Sequence, residues 1–144
     1  MVSAVLARGH LLIEDVPGTD WPDNKRQLSW EAAGFGPAPT LEAAVGNLMT
    51  LGYSARCHLV KGEAKRFLRE TAETFDLVYI DVAHDYETTI ELIELGANRL
   101  APSGILAGDD YADTGTWGVK RAVDQAFPDA VIFEGRVWCV MRAA

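Results

Sequence analysis

The sequence predicts an α/β fold in which a mostly parallel sheet carries helices on both faces and finishes in a C-terminal antiparallel hairpin. Apolar runs of strand length alternate with segments of helical period from residue 11 to residue 126, the pattern of a parallel sheet covered by helices. The tail AVIFEGRVWCVMR (130–142) doubles back around Glu134-Gly135, a tight link that suits antiparallel strands. With 49% of its 144 residues apolar, the chain has enough material for one buried core, so a single domain over 1–144 is expected.

Taken in order, LLIEDV (11–16) reads as a strand that stops at Pro17-Gly18, and Thr19 to Pro39 reads as a long connection. From Thr40, a plausible N-cap, the residues Leu41, Val45, Leu48, Met49 and Tyr53 fall on one helical face that ends near Gly52. ARCHLVKG (55–62) is a strand, Ala64 to about Thr74 a short helix, and FDLVYIDV (75–82) a fully buried strand. The segment 85–100 alternates Tyr86, Ile90, Ile93, Ala97 and Leu100 with a wet face of Glu87, Glu91, Glu94 and Asn98, and Pro102-Ser103-Gly104 closes it. GILAGDD (104–110) is another buried strand, and a helix bearing Val119, Ala122, Val123 and Ala126 runs to Pro128.

A formal charge of −8 argues against sequence-independent binding to nucleic acid or to anionic lipid, both of which need dense basic surface. A small-molecule partner suits the chain better. No stretch approaches the roughly 20 apolar residues that span a bilayer, and the N-terminus lacks the apolar block of a signal peptide. Cys57 and Cys139 each lie in an apolar run, which favours buried free thiols over a disulfide and a reducing cytoplasm as the location.

In an open α/β sheet ligands bind beyond the carboxyl ends of the strands, so acids placed there carry most weight. Asp81 follows FDLVYI, Asp109 and Asp110 follow GILAG, and Glu14 with Asp15 follows LLI. An aspartate after a buried strand is costly unless paired, hydrogen-bonded or metal-bound, whereas an adjacent acidic pair also suits a plain Asx turn or cap. Neighbouring strands stand ~4.8 Å apart. If the runs ending at Asp81 and Asp109 are neighbours, their carboxylates converge on one hard cation, magnesium or calcium rather than zinc, because no His or Cys shows zinc-ligand spacing. His84, where the chain leaves the sheet, either deprotonates a substrate hydroxyl or caps the following helix. His10 reads as a surface loop residue and His58 as a strand residue, and Trp21, Trp30 and Trp117 either stack on a flat acceptor or cover the core.

FDLVYIDVAHDYETT, LAPSGILAGDDY and WGVKRAVDQAF together resemble the class I S-adenosylmethionine-dependent methyltransferases, of the antibiotic and sugar O-methyltransferase type and more distantly the catechol type. The likeness runs through Ile80-Asp81, His84, Tyr86, Pro102, Gly104, Asp109-Asp110-Tyr111, Gly118-Val119 and Ala122-Val123, and covers roughly residues 40–142. It implies a Rossmann-like sheet, S-adenosylmethionine as cofactor, and magnesium or another divalent cation on Asp81, Asp109 and Asp110. It also implies a catalytic role for His84, adenine contacts at Gly62-Glu63, ribose contacts at Glu14 or Asp15, and Asp81 beside the cofactor.

The family's glycine-rich loop and the strand before it are not found ahead of LLIEDV, where only MVSAVLARGH stands; VPGTD (16–20) imitates that loop with the wrong glycine spacing. A shortened form of a longer enzyme, a strand borrowed from a second copy, and a fold kept without activity all accommodate this. A missing central strand exposes backbone edges, so a homo-oligomer is expected. The function expected is O-methylation of a small-molecule hydroxyl with help from a divalent metal. The alternative is a non-catalytic remnant of the fold serving as an oligomeric interaction domain, and a nucleotide-dependent oxidoreductase is disfavoured because no Gly-x-Gly-x-x-Gly follows a strand.

Overall fold

The computed structural model describes residues 6–7, 10–13, 41–53, 55, 57–82, 84–112 and 117–142. Among the described residues seven strands and four helices follow one another: β1 (Leu6–Ala7), β2 (His10–Ile13), α1 (Leu41–Thr50), β3 (His58–Lys61), α2 (Ala64–Glu70), β4 (Phe75–Ile80), α3 (Tyr86–Asn98), β5 (Leu100–Gly108), α4 (Val119–Ala126), β6 (Val131–Phe133) and β7 (Val137–Met141). The expected alternation is therefore present, and β6 and β7 form the antiparallel hairpin that the tail predicts.

The strands are arranged as a three-stranded sheet, β1-β2-β3, and a four-stranded sheet, β4-β5-β7-β6. β2 pairs parallel with β3, and β4 parallel with β5, while β7 runs antiparallel to β5. β1 lies beside β4 without joining its hydrogen-bonded ladder. Where a parallel sheet would carry a full central strand, the described residues thus offer a two-residue one.

The core is built on β4 and β5. Phe75, Val78 and Ile80 of β4, Leu106 of β5 and Trp138 of β7 are buried, and Leu92, Ile93, Val119, Ala122 and Val123 bring the inner faces of α3 and α4 onto them. Burying each of the larger side chains contributes about 1.5–3 kcal/mol relative to exposure. Close approach fixes the layers. A Cβ at Gly108 would stand 2.5 Å from the Ile80 carbonyl oxygen and 2.7 Å from the Trp138 indole.

Several boundaries differ from the sequence reading, each for a local reason. α2 stops at Glu70 rather than near Thr74, because the Arg99 guanidinium donates to the carbonyls of Leu68 and Arg69 and so satisfies the open end of the helix. α3 ends at Asn98, and Leu100 already belongs to β5. Pro102-Ser103-Gly104 does not close the helix: it lies within β5 as a kink, with Ser103 at φ 61° and a shift of register against β4. His10 opens β2 and is a strand residue, not a loop residue. Cys57 and Cys139 are free thiols, as expected, but both are only half-buried. Val45, Met49 and Tyr53 of the apolar stripe on and beyond α1 are exposed. No helix among the described residues is long and apolar enough to cross a membrane.

Candidate functional site

Parallel pairing places Ile80 opposite Gly108, so the two strands end side by side and their next residues, Asp81 and Asp109, leave the sheet at one edge. The Asp109 amide donates to the Ile80 carbonyl at 3.2 Å, which ties the two tips together. The adjacency on which the acidic cluster depends is therefore present.

Asp110 takes φ 57°, a left-handed conformation that an aspartate tolerates better than most residues. That kink sends consecutive carboxylates in different directions. Asp109 turns Oδ1 back to accept from the amide of the very next residue, Asp110, at 2.7 Å. Asp110 instead reaches across to His84, with Oδ2 at 2.7 Å from Nε2.

His84 is held from several sides. Asp85 caps α3 by accepting from the Thr88 amide at 2.8 Å, a cap worth about 1 kcal/mol, so it is Asp85 and not His84 that starts this helix. The Gly118 amide donates to the His84 carbonyl at 2.7 Å. Gly118 has no room for a side chain there: a Cβ would lie 2.5 Å from Tyr86 Cβ. Trp117 stacks on the imidazole with ring centroids 4.4 Å apart and planes inclined by 13°. The His84 and Asp110 side chains are 12% and 15% exposed, dry enough to strengthen their hydrogen bond yet reachable from solvent.

Ligand atoms of Asp81, His84 and Asp110 all lie within 4.8 Å of one another, the spread that one ion bridges. The two carboxylates, with the imidazole beside them, are hard oxygen donors of the kind that accommodate magnesium or manganese. Asp109 stands outside that group, its carboxylate facing the Asp110 amide and, at 3.7 Å, the Arg136 Nε. Arg136 also donates to Asp110 Oδ1 at 2.8 Å, and its carbonyl accepts from the Tyr111 amide at 2.8 Å. Sequence reasoning missed Arg136. Once β7 is known to pair with β5, Gly108 faces Trp138, and the turn before β7 must fall at the same sheet edge.

Of the remaining candidates, Gly62 and Glu63 follow β3 and are exposed, with Glu63 at the N-cap of α2, making no side-chain capping bond and standing 3.9 Å from the Lys65 ammonium. Glu14, Asp15, Trp21, Trp30 and VPGTD lie outside the described residues.

Burial, then the negative charges of Asp110 and Asp109, raise the Asp81 carboxyl above its ordinary value of 3.8. Tyr79, two residues earlier on β4, is raised by burial and by the same acids. The raised Asp81 value means that the folded chain holds this proton more tightly than the unfolded one. Below the unfolded value both states are protonated and there is no cost; as pH climbs through the folded value, stability is lost. Metal-free protein is therefore expected to lose stability as pH rises from the ordinary carboxyl value of 3.8 through the raised folded value, stability that an Asp81→Asn variant retains, measured by urea denaturation at a series of pH values. Equal pH slopes for the two proteins would refute it.

An α/β fold with an acidic, histidine-bearing cluster at the carboxyl ends of adjacent parallel strands is the arrangement of the Rossmann-like class. Within that class the chain belongs to the methyltransferase domain family, whose model matches residues 3–111. No curated protein matches it in sequence. Among solved structures it is similar to the O-methyltransferase NovP, with 17% identity and a TM-score of 0.65 over 92% of this chain and 60% of that one. The O-methyltransferase from Bacillus cereus, solved with S-adenosylhomocysteine, aligns at 16% identity and TM-score 0.53 over 70% of this chain and 57% of that one. TomG from Streptomyces achromogenes, solved with S-adenosylmethionine, aligns at 16% and 0.53 over 71% and 57%. The chain thus spans about six tenths of the length of these relatives.

Proposed function

We propose that the chain serves S-adenosylmethionine-dependent O-methylation of a small-molecule hydroxyl, with a divalent cation in the pocket. The observation that carries this reading is the convergence of Asp81, His84 and Asp110 at the ends of β4 and β5. Asp81 and Asp110, with the imidazole in the same reach, are the residues that would hold the cation, which when bound would polarise the acceptor hydroxyl and ease its ionisation.

The chain's own residues supply orientation and proton transfer. Asp110 accepts from Nε2 of His84 and so selects the tautomer in which Nδ1 is the basic nitrogen. Trp117 keeps the ring in one plane, and the clamp at Gly118 keeps its backbone in place. An imidazole so fixed would accept the proton of the acceptor hydroxyl, while S-adenosylmethionine, when bound, would supply the methyl group to that oxygen and leave as S-adenosylhomocysteine.

Cofactor contacts are assigned to Gly62-Glu63 at the adenine, to Glu14 or Asp15 at the ribose, and to Asp81 beside the cofactor. That NovP, the Bacillus cereus enzyme and TomG are O-methyltransferases, the latter two solved with the cofactor or its product, supports the assignment. The exposed Val45, Met49, Leu51 and Tyr53 support a homo-oligomer, which light scattering would test. Titration calorimetry with S-adenosylmethionine, with and without magnesium, tests the function itself. Saturable heat is expected, and no heat at millimolar cofactor would leave the fold without the activity.

A further inference from the structure

We infer that Arg136 is a built-in competitor for the cation, so that the pocket exchanges a guanidinium for a metal ion when it loads. The inference rests on the metal reading proposed above.

Both oxygens of Asp110 are engaged: Oδ2 by His84 at 2.7 Å and Oδ1 by Arg136 at 2.8 Å. A cation needs at least one of them. The same guanidinium has its Nε 3.7 Å from Asp109 Oδ1, so it sits astride the two carboxylates that follow β5. A divalent ion entering between Asp81 and Asp110 meets a positive charge already there, and like charges this close repel.

The arrangement allows the guanidinium to leave. Arg136 occupies the turn between β6 and β7, and its side chain is 67% exposed, so moving it into solvent uncovers little apolar surface. The hairpin stays attached when it goes, because the link to the site loop runs through the backbone, from the Tyr111 amide to the Arg136 carbonyl. Formal charge is consistent with exchange. Asp81, Asp109 and Asp110 in ionised form carry three negative charges, of which Arg136 offsets one and a divalent ion in its place offsets two. In the absence of metal, Arg136 keeps the Asp110 carboxylate turned toward His84; with metal, the ion takes over that neutralisation.

Such coupling between two ligands of one site typically changes affinity by about 5- to 150-fold. The test is the dissociation constant for manganese, measured by calorimetry on the whole chain in its parent form and as Arg136→Met, Arg136→Gln and Arg136→Lys. Removing the charge in the first two variants is expected to tighten manganese binding about tenfold, within that range, and Arg136→Lys, which keeps it, to stay near the parent. The two neutral variants guard against a folding defect peculiar to one of them, and circular dichroism confirms that each is folded. Unchanged or weaker binding in both neutral variants, with the parent still binding, would overturn the competitor role and leave the metal reading standing. Absence of manganese binding in the parent and in all variants would instead overturn the metal reading, and this inference with it.

Discussion

Replacing His84 with alanine is expected to lower the rate of methyl transfer by about 10²- to 10⁴-fold, the contribution typical of a positioned general base. The size of the loss follows from how firmly the ring is held. Its carbonyl is pinned by Gly118, its face by Trp117 and its Nε2 by Asp110, so no neighbour can take its place without moving. The measurement is transfer of the methyl group from S-adenosylmethionine to a panel of small hydroxyl acceptors, with kcat and KM separated. The loss is expected in kcat rather than in KM. A variant that keeps the parent rate would assign proton acceptance to another group. The fold should survive, since the α3 cap belongs to Asp85.

The second large effect falls on stability. Gly108→Val is expected to destabilise the chain by about 3 kcal/mol or more, the upper part of the range for overpacking a tight interior. Ordinarily a glycine in a strand is a weakness, and a side chain there would help. Here the added Cβ would meet the Ile80 carbonyl at 2.5 Å and the Trp138 indole at 2.7 Å, one on each neighbouring strand. Trp138 is only 1% exposed and cannot retreat into solvent, while displacing Ile80 would move Asp81 directly. Urea denaturation followed by tryptophan fluorescence reads the change. A midpoint close to the parent's would show that the strands spread at little cost, and the close packing argued for this edge would not hold.

Much of this arrangement was legible because the strands announce their ends. FDLVYI and GILAG are apolar runs that stop abruptly at acids, and in a parallel sheet such stops coincide at one edge. His84 was legible for the same reason, lying three residues beyond Asp81. The partition between Asp109 and Asp110 was not. It depends on the sign of one backbone angle, which an Asp-Asp pair does not reveal. Arg136 was equally hidden, because it reaches the site only after β7 has paired antiparallel with β5, a contact between residues some 30 apart in the chain. Trp117, which the sequence leaves between stacking on an acceptor and covering the core, lays its ring on His84. At Pro102-Ser103-Gly104 the usual rule that proline follows a helix end pointed the wrong way, because β5 absorbs the kink as a change of register against β4.

The left-handed backbone at Asp110 leaves this position two filters through which mutational drift must pass. Chain geometry admits glycine, asparagine or aspartate with little penalty and resists β-branched and bulky types. The pocket chemistry, in turn, asks for an anion between an imidazole and a guanidinium. Only one of the twenty amino acids satisfies both demands, so even glutamate, the nearest homologue in charge, would trade backbone comfort for its carboxylate, and no gradual route of mild substitutions leads away from it.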